Sequence, residues 1–266
     1  MYNKKVLVLL WTTVFLLSNV FLNAYAAENK VGVVLLHGKG GMPATPPILE
    51  LASDLKRNGF MVITPEMSYS KFRRYDKTYE ETMLEIDKAL EQLKGSGAKK
   101  IFVAGHSLGA NVVLYYATQA SVDGIIMIAP GHRLEDKKFQ DRLGDSLDRA
   151  KKMVDEGKGS ERSDFTDVNQ GNTSIINVTA KIYLSWFSPE GAAVMPRNAP
   201  AVKPEIAVLY VVGKQDPIYE KGRQYVFDKL PQNPDNKYLV VNSDHMRTPV
   251  VAANEIIAWL NIFKNR

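Results

Sequence analysis

The chain has 266 residues, 45% of them hydrophobic and 24% charged, a mixture typical of a globular protein. Its formal net charge of +5 falls to +3 without the two lysines of residues 1–5, which is too small to indicate nucleic-acid binding. The chain has no cysteine, which excludes disulfides, thiolate zinc sites, a cysteine nucleophile and a lipidated N-terminal cysteine.

The N-terminus has the pattern of a secretory signal peptide. Two lysines within residues 1–5 precede an apolar run from Val6 to Leu22, and Ala24-Tyr25-Ala26 follows with small residues where a signal peptidase needs them. We therefore predict that residues 1–26 are removed and that the mature protein is periplasmic or extracellular, contacting the membrane only during export. The alternative is an uncleaved membrane anchor, because the apolar run approaches the minimum spanning length.

From Val31 onward, short apolar runs alternate with segments of helical period, a pattern typical of a mostly parallel sheet with helices on both faces. We therefore predict an α/β fold, and helical apolar spacing at Met83 to Leu93 and Ile256 to Phe263 marks two of its helices. The six predicted strands are Val31–Leu36, Phe60–Thr64, Lys100–Ala104, Gly124–Ala129, Ile206–Val212 and Lys237–Val241.

A long insertion separates the fourth predicted strand from the fifth. About 75 residues lie between these strands, well beyond ordinary connection lengths, and we assign residues 131–203 to the insertion. Its charged first part predicts one long amphipathic helix, Leu134–Glu156, which Gly157 ends. A polar segment follows through Asn172.

The strongest local motif is Gly105-His106-Ser107-Leu108-Gly109, directly after the third predicted strand and before the helical run Ala110–Gln119. A strand that turns sharply into a helix holds the central serine in a strained conformation, and only glycine fits two positions to either side. The motif predicts that Ser107 is a nucleophile. The alternative is a glycine-flanked serine in an ordinary turn.

A serine nucleophile needs a base, and the chain has four histidines. His106 adjoins the serine and should point away from it, His37 follows the first predicted strand, and His132 opens the insertion. His245 follows the last predicted strand, at the same sheet edge as Ser107, and is the best candidate. The alternative interpretation is that His245 is an ordinary surface histidine.

The base in turn works best beside a carboxylate that fixes its tautomer. Asp216 follows the fifth predicted strand and lies 29 residues before His245, whereas Asp244 is adjacent to that histidine. Adjacent side chains seldom meet in such a hydrogen bond, so we favour Asp216 as the acid. Helix capping is a second plausible role for Asp216.

The sequence has a serine elbow, then an acid, then a histidine in chain order, with a His37-Gly38 turn after an early strand. In this combination it closely resembles the α/β-hydrolase superfamily. The resemblance extends from Val31 to Arg266 apart from the insertion. It implies Ser107 as nucleophile, Asp216 as orienting acid and His245 as base. It also implies an oxyanion hole built from the backbone N–H groups of Lys39 and Leu108.

The sequence departs from the family pattern in two places, which indicate the form of the sheet and the branch of the family. The predicted sheet begins soon after the cleavage point, which implies a trimmed six-stranded core. Lys39-Gly40-Gly41 also lacks the full glycine run of the hormone-sensitive-lipase branch, and Ser107 argues against the dehalogenase and epoxide hydrolase branches, which use an aspartate nucleophile.

The leading interpretation is a secreted serine hydrolase that cleaves small carboxylic esters through an acyl-enzyme and needs no cofactor or metal. Thioesters, lipids, amides and peptides are alternative substrates, and a non-catalytic binding protein on the same fold is an alternative of another class.

The insertion leaves and rejoins the sheet at the edge where Ser107 is expected, so we predict that it caps the active site. Its apolar residues are candidates for an acyl pocket. Two alternatives are that they fill the insertion's own core, or that Trp186 and Phe187 anchor the enzyme to a membrane. The candidate pocket residues are Tyr183, Trp186, Phe187 and Met195.

Overall fold

The computed structural model describes residues 30–266, and the predicted signal peptide lies outside these residues. Six parallel strands form the central sheet in the order β2-β1-β3-β4-β7-β8, which confirms the predicted α/β class and the six-stranded core. The strands are β1 Val31–Leu36, β2 Met61–Ile63, β3 Lys100–His106, β4 Gly124–Ile128, β7 Ala207–Gly213 and β8 Lys237–Val241.

Helices cover both faces of this sheet because side chains alternate along each strand. Val34 of β1 and Val103 of β3 face one core, and Val33 and Phe102 face the other. Helices α2 and α3 pack on the first face, and α1 and α10 pack on the second. These helices are α1 Pro46–Arg57, α2 Met83–Gly95, α3 Leu108–Gln119 and α10 Ala253–Lys264.

The chain reverses its direction of winding between β1 and β3. The strand order places β2 on one side of β1 and β3 on the other, so the carboxyl ends of β1 and β3 border a crevice where ligands bind in such sheets. The turn after β1 carries Lys39, and Ser107 directly follows β3. The topology thus brings two distant segments to one edge.

The segment between β4 and β7 differs from the prediction. We call residues 131–203 the cap. The single helix predicted over Leu134–Glu156 is two helices, because Gly144 takes a positive φ of 61° that ends the first of them. The cap helices are α4 Lys137–Leu143, α5 Ser146–Asp155, α6 Ala180–Phe187 and α7 Met195–Asn198.

The polar segment that follows forms a β-hairpin for which the sequence analysis assigned no secondary structure. Strands β5 (Arg162–Asn169) and β6 (Asn172–Thr179) pair antiparallel over their full lengths. Gln170 and Gly171 form the two-residue turn with φ of 49° and 81°, the left-handed conformation that tight hairpins require. We call Asn169 to Gly171 the hairpin tip.

The remaining elements complete the edge near β7 and β8. Helix α8 (Tyr219–Tyr225) follows the loop after β7, and α9 (Thr248–Val251) follows the loop after β8. Short 3-10 turns cover Ala199–Ala201 and Phe227–Lys229. The loops that leave β7 and β8 therefore lie at the same carboxyl edge as the ends of β1 and β3.

Candidate active site

Ser107 occupies the turn between β3 and α3 in a strained backbone conformation, with φ 57° and ψ −117°. A Cβ on Gly105 would lie 2.2 Å from the Gly109 carbonyl oxygen, and a Cβ on Gly109 would lie 2.7 Å from the His37 carbonyl oxygen. Both glycines are thus required by contact with backbone rather than by flexibility. The Ser107 N–H donates to the Ile128 carbonyl at 2.9 Å, which fixes the turn against β4.

The three residues singled out as nucleophile, base and acid meet at this edge of the sheet. His245 Nε2 lies 3.0 Å from Ser107 Oγ, and His245 Nδ1 lies 2.6 Å from Asp216 Oδ2. The Asp216 side chain is only 2% exposed and that of His245 18%. In this arrangement Nδ1–H donates to the carboxylate, which leaves the Nε2 lone pair free to accept the serine proton.

Backbone hydrogen bonds hold the acid and histidine loops together. The N–H groups of Lys214 and Gln215, after β7, donate to the carbonyls of Val241, the last residue of β8, and Ser243, after β8, at 2.9 and 3.0 Å. Asp216 Oδ1 also accepts the Ile218 N–H at 2.9 Å. The carboxylate therefore has a partner on each oxygen and one fixed orientation toward the histidine.

Asp244, the competing acid, has a different partner. Its carboxylate accepts the Arg247 N–H at 2.8 Å, at the start of the turn leading into α9, and its carbonyl accepts the Thr248 hydroxyl at 2.6 Å. Asp244 thus organises the local turn, while Asp216 makes the hydrogen bond to the imidazole.

The other histidines have structural partners. His106 is buried, and its Nε2–H donates to the His245 carbonyl at 2.9 Å, so it supports the backbone of the candidate base. Burial lowers the pKa of His106 to about 4, which keeps the ring neutral. His37 Nε2 accepts the Met67 N–H at 3.1 Å, and His132 Nε2–H donates to the Trp186 carbonyl at 2.7 Å.

The two residues whose N–H groups are implied as the oxyanion hole lie close to Ser107, because Leu108 follows it in the chain and Lys39 lines the same small cavity. Leu108 is the first residue of α3, and the neighbouring Gly38 is so close that a Cβ there would lie 3.1 Å from Ser107 Cβ. Within residues 30–266, no hydrogen bond links the N–H of Lys39 or Leu108 to a protein acceptor. Neither N–H thus has a protein acceptor in the described part of the chain, as donors to an oxyanion would require.

Two cavities of unequal size open beside Ser107. The larger, about 550 Å³, is lined by Ser107 and His245, by apolar side chains that include Phe139, Val168 and Ile218, and by charged side chains that include Arg133 and Arg142. The smaller, about 50 Å³, lies between Ser107, the loop after His37 and Met246. Asn169 and Gln170 line both cavities, so the hairpin tip separates them.

The four residues predicted for an acyl pocket lie elsewhere. They are fully buried in the core that the cap shares with one face of the sheet, and they are not among the residues that line the larger cavity. The Tyr183 ring stacks on that of Phe187, and the Trp186 ring packs on Tyr75. These residues therefore fill a core, as in the first alternative, but a core that the cap shares with the sheet. Burial also removes the membrane-anchor interpretation, which needs exposed side chains. The residues are Tyr183, Trp186, Phe187 and Met195.

The sequence analysis missed several residues that shape the site. Phe139 lies within the predicted helix Leu134–Glu156 and was not a candidate site residue, yet it lines the larger cavity. The hairpin tip was missed because its strands are largely polar, although Gly171 is a residue type that tight hairpin turns favour. The Lys39 side chain carries no signal in the sequence, because its partner Asp167 lies 128 residues away.

The described part of the chain has neither a membrane-spanning helix nor a cluster of metal-binding side chains. Within residues 30–266, no helix is both long and apolar enough to cross a bilayer. The same residues contain no group of three or more histidine, aspartate or glutamate side chains placed to hold a metal ion.

Comparison with known sequences gives two matches. The family described as "Protein of unknown function (DUF1749)" matches residues 16–193, well over half of the chain. Esterase EstD of Thermotoga maritima is 30% identical over an alignment of 126 residues, which covers 42% of this chain and 29% of EstD. The chain therefore matches less than a third of the length of that curated relative.

Comparison with solved structures shows the fold. A carboxyl esterase from Bacillus coagulans has a TM-score of 0.64 at 18% identity, covering 90% of this chain and 92% of its own. A monoacylglycerol lipase from Paleococcus ferrophilus has a TM-score of 0.63 at 22% identity, with coverage of 86% and 93%. Est1E from Butyrivibrio proteoclasticus has a TM-score of 0.60 at 15% identity, with coverage of 91% and 92%. The chain thus has the α/β-hydrolase fold and belongs to the DUF1749 family.

Proposed function

We propose that this protein is a serine hydrolase that cleaves carboxylic esters through an acyl-enzyme on Ser107. The observation that carries the proposal is the continuous hydrogen-bonded line from Asp216 through His245 to Ser107 Oγ, with distances of 2.6 and 3.0 Å. These lengths suit proton transfer and orientation of the base. The partial similarity to Esterase EstD also supports an ester substrate.

In the proposed reaction, His245 Nε2 accepts the Ser107 hydroxyl proton as Oγ attacks the ester carbonyl carbon. The carbonyl oxygen becomes an oxyanion and accepts hydrogen bonds from the N–H groups of Lys39 and Leu108. In comparable sites each such hydrogen bond stabilises the transition state by about 3 kcal/mol. Collapse of this intermediate breaks the C–O bond, and the leaving alcohol takes the proton from His245. Water then attacks the acyl-enzyme by the same steps, which releases the acid and restores Ser107.

The experiment combines a reactivity probe with a substrate panel. A fluorophosphonate probe labels only an activated serine, so we expect labelling of the wild-type protein and none of Ser107→Ala or His245→Ala. Chromogenic esters of increasing chain length, with matched thioesters and amides, then identify the bond that is cleaved. Absence of labelling and of hydrolysis in the folded wild-type protein would favour the non-catalytic alternative.

We further propose that the protein is exported with residues 1–26 removed. The two lysines, the apolar run and the Ala24-Tyr25-Ala26 site occur in the order that signal peptidase substrates show. The intact mass of protein isolated from its native host should correspond to a chain starting at Ala27. A mass that includes Met1 would indicate the uncleaved anchor instead.

A further inference from the structure

The Lys39 side chain lies beneath the cap in an environment that is unusual for a lysine. Its Nζ donates to Asp167 Oδ1 at 2.7 Å and to the Val168 carbonyl at 2.9 Å, both on strand β5. The side chains of Lys39 and Asp167 are only 6% and 9% exposed. A buried lysine is seldom tolerated unless it is paired, so this ion pair is a specific feature of the interface between cap and sheet.

Aromatic rings complete the surroundings of the ammonium group. Nζ lies 5.0 Å from the ring centre of Phe187, 5.8 Å from that of Phe139 and 6.0 Å from that of Tyr75, distances at which ring faces attract a cation. Burial lowers the pKa of Lys39, and the facing Asp167 carboxylate opposes this shift. The charged pair is thus held in a water-poor, closely packed site.

The main chain of the same lysine is held from the other side. The N–H of Gly40, the next residue, donates to the Tyr69 carbonyl at 3.0 Å, and the N–H of Gly41 donates to the Gly38 carbonyl at 3.0 Å. The Gly41 carbonyl in turn accepts the Lys71 N–H at 3.2 Å, so the loop has two backbone bonds to the segment of Tyr69 and Lys71 and one side-chain anchor to the cap. The N–H group assigned to the oxyanion hole belongs to the residue that carries the side-chain anchor.

Asp167 is also connected to the active site through its own strand, which leads into the hairpin tip. It lies two residues before Asn169, where the hairpin tip that lines both cavities begins. The tip also contacts the loop of the candidate base, because Gln170 Nε2 donates to Met246 Sδ at 3.1 Å. A change in the position of β5 would therefore reach the substrate cavities and, through Lys39, the oxyanion hole.

We propose that the Lys39–Asp167 ion pair is a positioning device that couples the seating of the β5–β6 hairpin to the orientation of the Lys39 N–H. Only when the hairpin is seated does the pair hold the Lys39 backbone where its N–H meets the oxyanion. Lys39 thus has two roles, a backbone donor to the reacting oxygen and a side chain that positions that donor. This inference rests on the proposed hydrolase function.

The test compares Asp167→Asn and Lys39→Met, which remove one charge each and leave the Lys39 N–H in place. Assays run well below the melting temperature of each variant. Because the device acts on the transition state, we expect kcat to fall at least about tenfold while KM stays within about threefold. Affinity for a trifluoromethyl ketone, which forms an oxyanion on Ser107, should fall by a similar factor. Affinity for the corresponding alcohol, which forms none, should not.

The matched control is Asp164→Asn on the same strand. Asp164 is exposed and accepts the Asn177 side-chain amide at 2.8 Å, away from Lys39, so this variant should keep the wild-type kcat. If the single variants fail to fold, the double variant Lys39→Met/Asp167→Leu replaces the pair by apolar side chains, an exchange that buried ion pairs often tolerate. It should fold and still show the reduced kcat.

Each outcome decides the inference. Wild-type kcat in the single variants, even with a lower melting temperature, would show that the pair is structural only and would overturn it. A double variant that recovers kcat together with stability would overturn it too, as would equal losses of affinity for the ketone and the alcohol. A wild-type protein that lacks both probe labelling and ester hydrolysis would instead refute the proposed function on which the inference rests.

Discussion

Replacing Gly105 by alanine tests whether the backbone around Ser107 is as closely packed as the structure indicates. The new Cβ would lie 2.2 Å from the Gly109 carbonyl oxygen and 2.8 Å from the Ala110 nitrogen, and both are backbone atoms that no rotamer change can move. Overpacking a core typically costs about 1–3 kcal/mol. Because a shift of roughly 1.2 Å in helix α3 is needed to bring the 2.2 Å approach to an ordinary contact, we expect a cost at the upper end of this range, about 3 kcal/mol.

For a protein of this size, that loss should lower the melting temperature by about 6–12 °C. Activity should fall further than stability, because misplacing a nucleophile by about 1 Å can cost about a hundredfold in rate. Urea unfolding and hydrolysis of a short chromogenic ester measure the two effects separately.

Gly95→Ala is the matched control. Gly95 ends helix α2, and a Cβ there would meet nothing within 4 Å. This variant should be neutral or more stable by about 0.4–1 kcal/mol, with unchanged activity. A Gly105→Ala protein with wild-type melting temperature and activity would refute the packing argument for the elbow.

Three further predictions concern the acid, a buried histidine and the cap. Asp216→Asn should lower kcat by roughly 10⁴-fold, because the amide favours the wrong imidazole tautomer. Asp244→Asn should lower kcat by less than about tenfold. Steady-state kinetics measure both values, and a larger loss in Asp244→Asn would reverse our assignment of the acid. His106 has a folded-state pKa of about 4 against 6.5 for an unperturbed histidine, so the unfolded state binds the proton first and stability falls as pH drops from about 6.5 to 4. Urea unfolding should show that His106→Gln loses about 3 kcal/mol less folding stability than the wild-type protein between these two pH values. A variant with the wild-type dependence of stability on pH would contradict the assignment of this loss to His106. Trp186→Ala should reduce folding stability by about 3–5 kcal/mol without changing the preferred ester chain length. Phe139→Ala should change the preferred chain length. A chain-length preference altered only by Trp186→Ala would contradict our description of the cavity.

Local patterns in the sequence predicted the sheet and the elbow well. Apolar runs of strand length are visible because both faces of a parallel sheet are buried, and all six predicted strands overlap the observed ones. The fourth ends one residue early, because Ala129 has a positive φ of 46°. The Gly105 to Gly109 pattern was readable because its glycines avoid clashes with nearby backbone in a single turn.

The cap was predicted less well, and the reasons are physical. Its apolar spacing continues across Gly144, so the pattern indicates one helix although a left-handed glycine divides it into two. Strand β5 is mostly polar because only one of its faces is buried, and one of its buried residues is the charged Asp167. Hydropathy therefore gave no sign of a strand there.

The amino-acid sequence alone determined the fold class and the strained serine turn, because both depend on patterns of residues close together in the chain, and it determined the order of serine, acid and histidine, because that order needs only their positions after the predicted strands. Tertiary structure decided which surfaces meet. It placed Trp186 in a core rather than a pocket, since hydrophobicity sets the tendency to be buried but not the partner. It also paired Lys39 with Asp167 across 128 residues, since a buried charge finds its counter-charge only once the chain has folded around it.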